Sequence, residues 1–361
     1  MRLTSASVAR ASAQRPWWVV LVWVIVLAIS MGLAGALLGD ALTTDFAFTD
    51  EPESERAEAL LEERLRGKTT NTELVVIRAE SDTATDETYR TYVGELQAAL
   101  DGLAADSDVV GAGSYLTGDG PVSEDGRTVL VPVIIATDSF DVLGEVALEI
   151  QAVVAASDPP EGFTVLVAGP GTLNGDFERL AEEALQTGEA IGIAIALIIL
   201  IIVFGAVAAA VVPIILAIAA IIVAFGLTAL IGQLFDLSFF VTNMITMIGL
   251  AVGIDYSLFI VSRYREERLR GFERIDAIER AGGTASRAIF LSGLIVVLAL
   301  SAMLIVPNTI FRSLGLGAMV VVIAAVAAAL TLLPAVLSIM GDRIDSLRVR
   351  RQPTAIARQR K

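Results

Sequence analysis

From Ala190 to Gln233 the chain carries no charged residue, a run of 44 positions. A helix rises 1.5 Å per residue and needs about 20 apolar residues to cross a bilayer. The run therefore holds two spans folded back in a tight hairpin. Phe204-Gly205 marks the turn, and Pro213 falls in the first turns of the second helix. The rest of the composition agrees. Hydrophobic residues make up 55% of the 361, and mean hydropathy is +0.71, which is too apolar for an ordinary soluble domain.

Four further runs read as spans. The first is Trp17 to Leu38, entered at Pro16, a residue suited to a first helical position, and flanked by an interfacial Trp17-Trp18 pair. The Ala34-Gly35-Ala36 stretch resembles a signal-peptide cleavage site, but the apolar run exceeds the usual core of about 7–15 residues, so a retained anchor is expected. The fourth span runs from about Phe239 to Ser262, the fifth from Ala288 to Val306 and the sixth from Leu314 to Ile339. The charged segment Arg263 to Arg287 is expected to lie along the membrane surface as an amphipathic helix.

Between the first two spans the pattern changes to that of a folded α+β domain over residues 40–186. A charged amphipathic helix, Glu53 to Leu65, precedes a strand at Glu73 to Glu80 and a helix at Asp86 to Leu103. Strands at Val109 to Leu116 and Thr128 to Ala136 meet through the turn Glu124-Asp125-Gly126. A helix at Val142 to Ala155, a strand at Phe163 to Ala168 and the breaker Gly169-Pro170-Gly171 follow, with a helix from Thr172 to Gln186 leading to the next span. After the first helix the order is βαββαβ, a ferredoxin-like pattern.

The charge is divided the same way. Residues 40–186 hold 31 acids and 8 bases, whereas the remainder is net basic. An acidic water-facing domain does not suit nucleic acid. The N-terminus (1–15), the 263–287 loop and the tail (341–361, with Arg343, Arg348, Arg350, Arg351, Arg358, Arg360 and Lys361) are basic. Six spans place all three on one side, which the positive-inside rule makes the cytoplasm, with 40–186 outside and 188–340 forming spans two to six. The chain has neither Cys nor His. That removes disulfides, thiolate chemistry and a zinc site, and leaves carboxyl and phenol groups to carry any proton. Gly67-Lys68-Thr69 resembles the tail of a phosphate-binding loop, but Glu62 stands where its first glycine belongs and no strand precedes it, so no nucleotide cofactor is expected.

The chemistry concentrates in the fourth span. Asp255 lies within the bilayer, where a carboxylate costs about 2.5–3.5 kcal/mol, and such a group is a proton-relay candidate. Gly249, Gly253 and Ser257 recur at i, i+4, i+8, a small-residue stripe that lets another helix approach. Asp255 falls on a different face with Ile248, Ala251, Leu258 and Phe259, so it needs a partner from elsewhere. Tyr256, about 100° round the helix, is better placed to bond a group on a neighbour than Asp255 itself.

Gly253-Ile254-Asp255-Tyr256-Ser257-Leu258-Phe259-Ile260-Val261-Ser262-Arg263-Tyr264-Arg265-Glu266-Glu267 resembles the fourth-helix motif of the MmpL (mycobacterial membrane protein large) branch of the resistance–nodulation–division (RND) transporters. Phe204-Gly205-Ala206, Ser286 to Leu294, Leu333-Pro334-Ala335 and Gly341 to Asp345 are similar to other blocks of that branch. Spans two to six also resemble the sterol-sensing region of Patched and Niemann–Pick type proteins. The resemblance implies a half-transporter of six helices with a ferredoxin-like porter domain, driven by protons and moving lipids or other hydrophobic molecules. It implies that Asp255 and Tyr256 form the first of two Asp-Tyr pairs, with Ser292 of the fifth span near the relay. The second pair stands on a tenth helix of the family and is not in this sequence. Completion by a second copy, by a second half-transporter or by the rest of a longer chain is implied. A protein-export accessory like SecD/SecF and a lipid sensor without transport are the alternatives. An enzyme is not expected, since an intramembrane aspartyl protease needs two membrane carboxylates and a Ser/His hydrolase needs a His.

Overall fold

A computed structural model describes residues 4–346 apart from 46, 47, 49, 51, 68 and 106. Arg2, Lys68 and the tail residues Arg348, Arg350, Arg351, Arg358, Arg360 and Lys361 lie outside the described residues. The chain runs α1 (Ser5–Gln14), α2 (Pro16–Leu37), β1 (Leu42–Thr43), α3 (Glu53–Leu61), β2 (Asn71–Ala79), α4 (Glu87–Asp101), β3 (Val109–Ala112) and β4 (Thr128–Ile135). It continues through α5 (Phe140–Ala156), β5 (Phe163–Ala168), α6 (Pro170–Phe204), α7 (Val207–Ile231), β6 (Leu237–Ser238) and α8 (Phe240–Leu269). The last helices are α9 (Arg274–Ala281), α10 (Arg287–Leu300), α11 (Thr309–Ala327) and α12 (Leu333–Met340). Two compact units result, Asp50–Ala184 and the remainder.

In the Asp50–Ala184 unit four strands pair in the order β3-β4-β2-β5, all antiparallel to their neighbours. With two helices crossing over, this is the ferredoxin-like arrangement. Alternation decides which face is covered. Val75, Ile77 and Ala79 of β2 and Val129, Val131, Val133 and Ile135 of β4 point to one face and are buried. Tyr89, Tyr92, Val93, Leu96 and Leu100 of α4 and Leu143, Val146 and Ile150 of α5 cover them. Tyr89 is buried, and its hydroxyl donates to the Ile77 carbonyl at 2.7 Å and the Arg127 carbonyl at 3.1 Å. Burial pushes its phenol up to about 12.

The Gly169-Pro170-Gly171 breaker turns out to be a helix start built round a carboxylate. Glu73 of β2 is fully buried and accepts from Gly171 N at 2.6 Å, Thr172 N at 3.3 Å and Thr172 Oγ1 at 2.7 Å. The carboxylate thus takes orphan amides at the positive end of α6. A side chain on Gly171 would meet the Leu143 carbonyl oxygen at 2.2 Å, so only glycine fits.

The other unit contains the membrane helices. Among the described residues six helices are long and apolar enough to cross a bilayer: α2, α6, α7, α8, α9 with α10 (Arg274–Ile305), and α11 with α12 (Thr309–Ile344). Most of the span of α7 is buried, and α2, α8 and α11 pack round it. Gly205, with φ +65°, makes the hairpin turn between α6 and α7.

Several boundaries differ from the sequence reading. The helix at Thr172 to Gln186 and the second span are one helix of 35 residues, because no breaker separates the charged and apolar parts. The helix of the fourth span runs on past Arg263 to Leu269, so of the 263–287 segment only the short α9 forms a separate helix. Residues 40–45 and 48 belong with the membrane helices: β1 pairs in parallel with β6, and Phe48 bridges Asn308. The polar N-terminus forms α1, whose Ala9 and Ala13 are buried and whose Arg10 pairs with Glu279.

Candidate functional site: a clamped helix with an open carboxylate

The fourth span, α8, packs on α7 and on α11. Gly249, Gly253 and Ser257 are buried, with Gly249 between α7 and α11 and Gly253 on α7. A Cβ on Gly249 would lie 2.4 Å from Ile221 Cγ1, and one on Gly253 would lie 2.7 Å from the Cα of Ala217. Such contact is how helices associate where lipid supplies no hydrophobic drive. Ser257 Oγ donates back to the Gly253 carbonyl, so its hydroxyl is satisfied without entering the interface.

Asp255 is two residues from Gly253, about 200° round the helix, and is exposed. Its carboxylate makes no hydrogen bond or ion pair among the described residues. Ala251 and Phe259 on the same face are exposed as well, and Ile248 and Leu258 are half-buried. Tyr256 turns the other way, toward the fifth span. Its hydroxyl lies 3.6 Å from the place a Cβ on Gly293 would take, beside Ser292 of α10. Ser292 is itself exposed. The structure therefore brings Tyr256 to the Ser292–Gly293 segment, keeps Gly249, Gly253 and Ser257 on the α7 side, and leaves Asp255 facing away from the bundle.

Helical spacing held one signal that the sequence reading passed over. Ser262 stands seven residues from Asp255, within about 20° of the same face, and is exposed. The end of the helix was also underread. Glu267 is 2% exposed and its Oε1 accepts from Arg263 and Arg270, both at 2.8 Å. Arg265 donates to the Phe204 carbonyl at 2.8 Å and lies over the Phe204 ring, capping the last turn of α6. No group of three or more carboxylates among the described residues is gathered to hold a metal.

The sequence profile of the MMPL family matches residues 47–359. The chain belongs to the MMPL family. A putative membrane protein of Streptomyces coelicolor is 32% identical over 351 residues, covering 96% of this chain and 48% of the relative. The trehalose monomycolate exporter MmpL3 of Mycolicibacterium smegmatis is 28% identical, covering 92% of this chain and 34% of that protein. The mycolic acid-containing lipids exporter MmpL11 of the same organism is 37% identical over 175 residues, 48% of this chain and 18% of its own. The chain thus spans less than half the length of each of these relatives. Its membership of the MMPL family and its six apolar helices make it a multi-pass membrane protein, with a ferredoxin-like domain beside the membrane helices in sequence.

Proposed function

We propose that this MMPL chain works as a proton-motive-force-driven exporter or flippase, a half-transporter that moves lipids or other hydrophobic molecules across the cytoplasmic membrane. The names of the two mycobacterial relatives support a lipid substrate class. The basic N-terminus, 263–287 segment and tail would be cytoplasmic and the 40–186 domain extracytoplasmic, on the positive-inside rule.

In this reading Asp255 carries the proton. Charged, it needs a donor at the face that α8 leaves open; neutral, it can be covered by apolar groups at far less cost. Binding and loss of the proton thereby favour different packings of that face, which is what couples a gradient to a conformational cycle. Tyr256 serves as hydrogen-bond partner and gate, with Ser292 as polar support beside it. Gly249, Gly253 and Ser257 give α8 a smooth contact on α7 along which it can slide. The donor for Asp255 comes from a second bundle: a second copy of this chain, a second half-transporter or the rest of a longer chain.

The observation that carries this reading is the exposed, unbonded Asp255 on the side of α8 opposite its packed stripe. The test is Asp255→Asn, measured as gradient-dependent lipid transport in inverted membrane vesicles. Transport is expected to vanish while the amount of inserted protein is unchanged. Retained gradient-dependent transport rejects the relay.

A further inference from the structure

On one flank of the membrane unit, α2, α7 and α12 stand apart and leave a cavity of about 500 Å³. Its walls include Val20, Trp23 and Leu27 of α2, Val211 of α7, and Val336 and Met340 of α12. The one polar group of Trp23 is already used: its indole N–H donates to Thr331 Oγ1 at 3.0 Å. The lining therefore offers an occupant apolar contact and no hydrogen bond. A water would find no partners there, and an empty cavity would forfeit the dispersion contacts of its walls. In a bilayer the group at hand to fill it is a hydrocarbon chain.

The end of the cavity is not neutral. Ser338, between Val336 and Met340, donates to the carbonyl of Ala13 at 2.7 Å. That bond holds the end of α1, and with it Arg15 two residues on, at the end of α12. Arg343 follows Met340 by three residues, in a turn that packs against the membrane helix α7. Both arginines are exposed, and neither forms an ion pair among the described residues. Asp342, next to Arg343 in the chain, is taken up by Arg268. Trp17 and Trp18, next to Arg15, mark this as headgroup level.

We propose that the cavity seats an acyl chain of an anionic phospholipid whose phosphate rests on Arg15 and Arg343. The apolar walls fix the chain, and the two cations select the headgroup. Each basic group near a membrane surface is worth about fivefold in affinity for anionic lipid. A zwitterionic lipid gains the chain contacts without that preference. The site needs neither the proton relay nor a transported substrate, so it stands apart from the function proposed above.

The test uses the full chain with Trp17→Phe and Trp18→Phe, both exposed positions, so that Trp23 is the only indole. The protein is placed in nanodiscs containing acyl-brominated phosphatidylglycerol or acyl-brominated phosphatidylcholine at equal mole fraction. Bromine quenches an indole it touches. Trp23 quenching is expected to be several-fold stronger with phosphatidylglycerol. Arg15→Gln with Arg343→Gln should equalise the two lipids, and Val336→Phe on α12 or Ala208→Phe on α7, both lining the cavity, should weaken quenching by both. Equal quenching by the two lipids with both arginines in place overturns the proposal. So does phosphatidylglycerol quenching that neither filling variant weakens. A brominated fatty acid that quenches where the phospholipid does not would likewise overturn it.

Discussion

Gly253 of α8 lies so close to Ala217 of α7 that a Cβ on it would stand 2.7 Å from the Ala217 Cα. Backbone, not a flexible side-chain tip, fills the space. Gly253→Leu should therefore part the two helices or fail to insert, and Gly253→Ala should cost about 1–3 kcal/mol by overpacking. Thermal unfolding of the purified chain in detergent measures this. An unchanged midpoint for Gly253→Ala would show that α8 and α7 do not meet as described.

Much of this arrangement was legible from residue spacing. The Gly249, Gly253 and Ser257 stripe and the separate face of Asp255 follow from the helical period alone. So did the order of the porter strands, because alternation in Glu73 to Glu80 and Thr128 to Ala136 is a local signal. What escaped was set by contacts distant in sequence. Leu42-Thr43 and Leu237-Ser238 are too short to read as strands, and they pair across nearly 200 residues. The helix α1 escaped because Ala and Ser give it no apolar stripe; it packs through small size, with Ala9 against Gly282. The fused α6 escaped because charge changes along it while helix propensity does not.

The start of α6 makes a second prediction. Gly171→Ala would drive a methyl into the Leu143 carbonyl oxygen, which cannot move without shifting α5. Glu73→Leu would leave the Gly171 and Thr172 amides without their acceptor. Each should destabilise the porter domain by about 1–3 kcal/mol. Faster hydrogen exchange along α5 in the full chain is the expected readout, and unchanged protection would argue against this helix start.

Glu178 gives the porter domain a pH dependence. It precedes the uncharged run, and burial first, then the nearby Asp141 charge, raises its carboxyl above the ordinary value of 4.5. Below that value the folded and unfolded chains both hold the proton and Glu178 costs nothing. As pH rises through the raised folded value, the folded state must carry a poorly solvated charge, and stability is lost. Glu178→Gln should accordingly stabilise the domain at pH 7 and leave it nearly unchanged at pH 4. Unfolding midpoints at the two pH values check this; equal effects at both would remove Glu178 as the cause.

The central claim is that a second bundle covers the open face of α8 and completes the relay at Asp255. The chain has no cysteine, so a single one can report on that face. Phe259, on the Asp255 face, is 53% exposed, and Val22 of the first span is 54% exposed, which makes the two matched probes. Phe259→Cys and Val22→Cys would each be labelled with a thiol-directed benzophenone, which inserts into a neighbouring C–H bond on irradiation, photolysed in native membranes and run on a denaturing gel. The account predicts a cross-link from position 259 to a second bundle, seen as an adduct or a shifted band, and none from position 22. No adduct at 259, or equal adducts at both positions, would contradict it.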